Sequence, residues 1–184
     1  MHPQNVISLG GEAEGRLFDS PEGSVFRRNN LLTGISPAAY PQIEPKIQVL
    51  RCAPREVIFE EDEPGDCLYL IAQGSVKISK KGRGGQQETL AFLMEQDFFG
   101  EMALFTGEPR TANVIAVEET EVLEIGHPAM KHLFETNPDL AESISWTIAE
   151  RRASLAAGSQ QLAQASIEES AGLLSSIKRF FGLR

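Results

Sequence analysis

The sequence predicts a small antiparallel β-sandwich or barrel followed by helices. Three observations predict it. Apolar residues alternate with polar ones at a period of two through the middle of the chain: Ile47 and Val49, Val57 and Phe59, Val76 and Ile78, then Leu90, Phe92 and Met94. Turn formers cut this pattern into short strands, at Glu63-Pro64-Gly65-Asp66, at Gly74, and at Gly82, Gly84 and Gly85. After Gly126 the apolar spacing lengthens to that of a helix.

Residues 1–30 are rich in Gly, Glu, Ser and Asn without a sustained period, and read as a flexible tail or, more sharply, a docking peptide. Ser36 and Pro37 suit the cap and first position of a short helix, which Pro41 and Pro45 keep short or kinked. Strands are expected over Cys67 to Ala72, Thr111 to Val117 and Val122 to Ile125, beside the alternating segments. Pro128 opens a helix through Phe134. A longer one follows Asn137-Pro138, with Leu140, Ala141, Ile144, Ile148 and Leu155 as its stripe. Residues 156–165 read as helix or linker. Ser166 to Leu183 reads as an amphipathic helix with a Ser166/Glu169 capping box and a stripe of Ile167, Ala171, Leu174, Ile177 and Phe181.

A chain of 184 residues can bury a core without metal or disulfide staples. With 17 Lys+Arg against 26 Asp+Glu the net charge is -9, which argues against broad phosphate-backbone binding. Cys52 and Cys67 are too few for a disulfide framework or a four-thiolate metal site and read as free thiols in a reducing compartment. No apolar run approaches the ~20 residues that span a bilayer, and Met1 to Gly10 lacks a signal-peptide pattern. A cytoplasmic location is expected.

One segment carries chemistry: Phe98-Phe99-Gly100-Glu101-Met102-Ala103-Leu104-Phe105-Thr106-Gly107-Glu108-Pro109-Arg110-Thr111-Ala112-Asn113-Val114. A short helix from Gly100 would present unpaired N–H groups to an anion. Gly100 lets the backbone approach a ligand, Glu101 can accept from hydroxyls, and Arg110 can grip a phosphate. On residue chemistry alone, a surface loop with a solvated Glu–Arg pair is an equal reading.

The segment resembles the phosphate-binding cassette of the cyclic nucleotide-binding domain family: Phe-Gly-Glu, one apolar residue, Ala-Leu, a spacer, then Pro-Arg, a small residue and Ala, all filled here without a gap. Val57-Ile58-Phe59, Pro64 to Ile71 and Gly74-Ser75-Val76 are similar to strands of the same family. The departure is Asp62-Glu63, where a Gly-Asp pair is usual; Asp tolerates a left-handed backbone, so the turn can survive. The resemblance spans residues 31–155. It implies a mostly β fold, an antiparallel β-roll or jelly roll (double-stranded β-helix) with a short N-terminal helix, a cassette helix and a C-terminal lid helix. The expected organisation is a tail over 1–30, a cyclic nucleotide-binding domain with its lid over 31–156, and a linker plus helix over 157–184.

The resemblance also implies roles. Glu101 would bind the ribose 2′-hydroxyl with the Gly100 N–H, and Arg110 the cyclic phosphate, with Ala103 and Thr111 completing the shell; Met102 and Ala112 belong to the same cassette. The base would lie against Val76, Ile78, Leu90 and Phe92. Arg151 would lie over the base from the lid helix, its alternative being a solvated helix face. The implied ligand is cAMP or cGMP, with cAMP favoured by a channel-like lid; no metal is implied.

His127 and His132 are five apart, unlike a helical metal pair, and Met94, Met102 and Met130 read as core filler. Trp146 lies off its helix's stripe and reads as packing by default. No Ser-His-Asp or Cys-His motif is visible, which argues against an enzyme. The expected function is a cyclic nucleotide sensor coupled to the C-terminal helices. The alternatives are a catabolite-activator-type regulator lacking a DNA-binding domain and a ligand-free β-roll scaffold. Residues 173–184 resemble the tails of small-conductance mechanosensitive-type channels that carry this domain, so a channel-type host or a protein effector is an expected partner. Nucleic acid is not, and membrane contact would be weak.

Overall fold

In the computed structural model, residues 6–7, 16–82, 84–155 and 162–183 are described. In chain order the elements are β1 (Val6–Ile7), α1 (Pro21–Arg28), α2 (Tyr40–Ile43), β2 (Ile47–Cys52), β3 (Val57–Phe59), β4 (Cys67–Gln73), β5 (Ser75–Lys81), β6 (Gln87–Met94) and β7 (Phe98–Phe99). They continue with α3 (Glu101–Thr106), β8 (Asn113–Ala116), β9 (Thr120–Gly126), α4 (His127–Thr136), α5 (Leu140–Leu155) and α6 (Leu162–Phe181).

The strands form two antiparallel sheets, ordered β1-β2-β9-β4-β7 and β3-β8-β5-β6, which makes the expected β-roll. The sheets differ in what covers them. Between them lies one core, built by Leu50, Ile58, Tyr69, Ile71, Val76, Phe99 and Val122. On the other face of the five-stranded sheet, Leu68, Leu70, Leu123 and Ile125 pack against the helices in a second core. Six consecutive residues of β4, Cys67 to Ala72, are therefore buried, because both faces of that strand are covered. The four-stranded sheet keeps an open outer face, so β8 alternates between buried and half-buried residues and most of β6 is exposed.

The N-terminal expectation is corrected for part of its length. Residues 16–30 fold: Ser20 accepts from the Gly23 N–H as an N-cap, Pro21 occupies the first turn, and Leu17, Phe18, Val25 and Phe26 are buried in the helical core. Phe18 stacks on Tyr40 at 4.2 Å. Residues 1–5 and 8–15 lie outside the described residues; Val6–Ile7 pairs with β2. The α1 sequence PEGSVFRR is too polar to announce a core face, and four large apolar side chains on either side of Ser20 supply it.

The last helix also differs from its sequence reading. It is already helical at Leu162, so Ser166 is not its start, and Glu169 instead accepts from Arg152 Nη1 of α5 at 2.5 Å. Residues 156–161 lie outside the described residues. The buried stripe is Leu173, Ile177 and Phe181 with Leu174 beside it, while Ile167 and Ala171 are exposed. Phe181 meets Phe105 of α3 at 6.3 Å, Phe134 of α4 at 4.9 Å and the His127 ring at 4.4 Å. Met130 is core as expected and Met102 is partly buried, but Met94 and Trp146 are exposed, against their readings as packing residues.

Because α6 is packed through one aromatic cluster, Phe181→Ala should cost about 3–5 kcal/mol, the usual cost of truncating a buried Phe. The urea midpoint of the full chain measures it; a cost below about 1 kcal/mol would mean that α6 is not held through this side chain.

Candidate functional site

The site is a cavity of about 450 Å³ between the cassette and α5, lined by apolar residues of the open sheet, by α3 and by three arginines. Arg110 is its centre. Its backbone is pinned first: the Arg110 N–H donates to the Glu63 carbonyl at 2.8 Å, and the Arg110 carbonyl accepts from the Asp62 N–H at 2.9 Å. Asp62 has φ 69, the left-handed conformation that its replacement of the usual Gly requires.

The side chain is then enclosed. Only 4 % of Arg110 is exposed. Nη1 donates to the Cys67 carbonyl at 2.7 Å and the Gly100 carbonyl at 2.8 Å, and Nη2 to Cys67 Sγ at 3.2 Å. The guanidinium carbon lies 4.2 Å from the Phe59 ring centroid and 5.6 Å from that of Tyr69. Two glycines leave room for it. A Cβ at Gly65 would fall 2.2 Å from Arg110 Nε, and one at Gly100, whose φ is 78, would fall 2.6 Å from Nη1. Among the described residues Nε is buried with no acceptor, and one of the two Nη2 hydrogens meets none. Among the described residues no carboxylate pairs with Arg110. The result is a buried cation held by dipoles and rings, with one guanidinium edge unsatisfied.

Burial raises the Cys67 thiol above its ordinary range, although the Arg110 charge opposes this. Burial likewise pushes the Tyr69 phenol far upward and the Cys52 thiol up to about 11. All three stay protonated near neutrality, so none supplies Arg110 with an anion.

The other expected residues divide clearly. Gly100, Glu101, Met102, Ala103, Thr111 and Ala112 line the cavity with Arg110, as do Ile78, Leu90 and Arg151. Arg151 Nη1 donates to the Phe98 carbonyl at 2.5 Å and its guanidinium sits 4.3 Å from the Phe98 ring centroid, so it is not a solvated face residue. Val76 and Phe92 do not line the cavity. Val76 points inward but lies beneath it, wholly buried in the inter-sheet core. Phe92 points outward and is 60 % exposed. The run Leu90-Ala91-Phe92-Leu93-Met94 is apolar throughout, so its alternation has two possible phases. The register Val76↔Leu93 and Ile78↔Ala91 selects Ala91 and Leu93 for the inside, and the irregularity that follows turns Leu90 toward the cavity as well.

Sequence reasoning missed Phe59, Ala91, Leu93, Val114 and Arg152 in the cavity wall, and Gly65 and Cys67 around the guanidinium. Only Gly65 carried a signal, as part of a turn.

Residues 49–137 match the family model of the cyclic nucleotide-binding domain. They belong to that family. The CRP-like cAMP-activated global transcriptional regulator of Mycobacterium tuberculosis is 27% identical over 127 residues, covering 69% of this chain and 57% of that protein. The cyclic AMP receptor protein of Thermus thermophilus is 36% identical over 94 residues, 51% of this chain and 44% of that one. The chain thus spans about half the length of the curated relatives it matches. A cyclic nucleotide-binding domain from Methylobacillus flagellatus superposes with a TM-score of 0.62 at 21% identity, covering 91% of this chain and 86% of that one, which supports the same fold. The cyclic nucleotide-binding domain here therefore carries the family's cassette helix, α3, between β7 and β8. Among the described residues no helix is long and apolar enough to cross a membrane, and no cluster of three or more metal-ligating side chains occurs.

Gly65→Ala should destabilise the chain by about 1–3 kcal/mol, because the guanidinium cannot retreat from the new methyl. In an Arg110→Ala background the same substitution should cost measurably less. Urea midpoints of the two single variants and the double variant test this; additive effects would mean that Gly65 does not seat Arg110.

Proposed function

We propose that the chain is a cyclic nucleotide sensor, with cAMP as its first ligand and cGMP as the competitor, that works as a regulatory module through its C-terminal helices. The observation that carries this reading is the buried guanidinium of Arg110 on the cavity wall, with which no carboxylate pairs among the described residues. An isolated buried charge is costly, and a phosphate at the Nε/Nη2 edge neutralises it in a charge-assisted bidentate contact. A net charge of -9 makes the concentration of Arg110, Arg151 and Arg152 around one cavity a marked local exception.

In this reading Glu101 accepts from the ribose 2′-hydroxyl with the Gly100 N–H beside it, and the Ala103 N–H and Thr111 complete the phosphate shell. The base lies on Ile78, Leu90, Ala91 and Leu93, under Arg151. Ligand binding draws on α5 by exchanging the Arg151 contacts to Phe98 for contacts to the base. The coupling is set by how much more tightly the closed arrangement holds the ligand. The chain's matches to M. tuberculosis and T. thermophilus regulators support a second reading, the sensor part of a catabolite-activator-type transcription regulator, which shares the ligand and differs only in output.

Calorimetric titration of the ligand-stripped chain with cAMP and with cGMP tests the proposal. Wild type should bind one or both. Arg110→Ala should bind at least about tenfold more weakly, since a hydrogen bond to a charged group contributes roughly 1.5–3 kcal/mol. Equal affinity in wild type and variant, or no binding of either nucleotide by folded wild type, would overturn it.

A further inference from the structure

The outer face of the four-stranded sheet is apolar where an open sheet face is expected to be polar. The registers Val57↔Ile115, Lys77↔Ile115 and Lys77↔Phe92 place Val57, Ile115, Lys77 and Phe92 in one row across all four strands. Met94 lies in the next row, opposite Ser75, and Val117 joins it through its N–H bond to the Ser75 carbonyl. Phe92 is 60 % exposed, Met94 65 %, Val117 46 % and Val57 39 %. The stem of Lys77 completes the row, since a lysine lays its methylenes along apolar surface while its ammonium stays in water. A contiguous patch of this kind, on a sheet whose last strand is an unpaired edge among the described residues, marks an interaction site.

The charges around the patch identify its partner. Along β5, Lys81 lies beyond Lys77 toward the β5–β6 hairpin, and it is exposed. Glu61 pairs with Lys80 through Oε1 at 3.6 Å and accepts from the Lys81 backbone N–H through Oε2 at 3.1 Å, while no carboxylate pairs with the Lys81 ammonium among the described residues. At the opposite end of the patch, Glu118 accepts from Ser75 Oγ at 2.7 Å and is itself exposed, followed by exposed Glu119. The patch is thus positive at one end, apolar in the middle and negative at the other end. A two-fold axis lying in the interface plane, parallel to the row and perpendicular to the strands, sets the two faces against each other, lays the apolar row on itself and brings Lys81 of each copy toward Glu118 of the other. A uniformly acidic or basic partner satisfies only one end. We propose that this face is the isologous interface of a homodimer, the occupant being a second copy of this chain. The interface lies on the back of β6, whose Ala91 and Leu93 line the cavity from the opposite side. The proposal does not depend on which ligand the cavity takes.

Sedimentation equilibrium of the full chain, without nucleotide, tests it. Wild type should approach twice the 20.2 kDa chain mass at micromolar to about 100 µM concentration. Phe92→Ser/Met94→Ser changes only exposed side chains and should weaken association at least tenfold. Lys81→Glu should weaken it and make it less sensitive to salt, and Lys81→Glu/Glu118→Lys should restore it. A wild-type monomer throughout this range would overturn the proposal. So would a dimer indifferent to Phe92→Ser/Met94→Ser, or a double charge swap no tighter than Lys81→Glu alone. Far-UV circular dichroism and the cAMP titration, run on the same samples, report fold and pocket separately from association.

Discussion

A buried guanidinium without a carboxylate is the constraint around which the rest of the molecule is arranged. Among the described residues, the groups that hold the Arg110 guanidinium are neutral: two carbonyls, a thiol kept protonated by burial, and two aromatic faces. Dipoles and rings hold a cation in place without cancelling its charge. A carboxylate in the same position would stabilise the empty state and would compete with any anion for the same edge. The Arg110 charge therefore stands uncancelled by these neighbours beside a low-polarity wall, where the field of one charge is strong. The turn at Asp62 and Glu63, the space left by Gly65 and Gly100, and the seven-residue strand β4 that ends over the helical core all position that one side chain.

The sequence made the roll and its cassette legible for different reasons. In β5 the apolar Val76 and Ile78 alternate in sequence with the polar Ser75, Lys77 and Ser79, so the strand is visible as a pattern, although Ser79 is itself buried. The cassette is contiguous, so Gly100 to Ala112 could be read as one unit. What escaped the reading is long-range. Phe59, Gly65 and Cys67 reach Arg110 from two other segments, and no local spacing reveals that. Phe92 was assigned to the wrong face because Leu90 to Met94 is apolar at every position, and only pairing with β5 chooses the phase. The first helix was missed because its apolar residues fall on both sides of a polar cap, Leu17 and Phe18 before Ser20 and Val25 and Phe26 after it.

The position of α3 links Arg110 to the aromatic cluster of the last helix. Gly100, at the head of α3, gives its carbonyl to Arg110 Nη1. Phe105, near the tail of the same helix, is buried against Phe134 of α4 and Phe181 of α6. Four helical residues, Glu101 to Leu104, thus separate Gly100 from Phe105. A short, rigid helix cannot move at its head without moving at its tail, and close-packed aromatic rings do not deform continuously. A shift of Gly100 toward or away from an anion must therefore be absorbed by the packing of Phe181, by α4, or by both. The α5 helix adds a second route, since Arg151 holds the Phe98 carbonyl while the adjacent Arg152 pairs with Glu169 of α6. The exposed Arg152–Glu169 pair contributes little by itself. The aromatic cluster is thus the stronger of the two links, and under the proposed function it would carry the response to the terminal helix rather than to the roll.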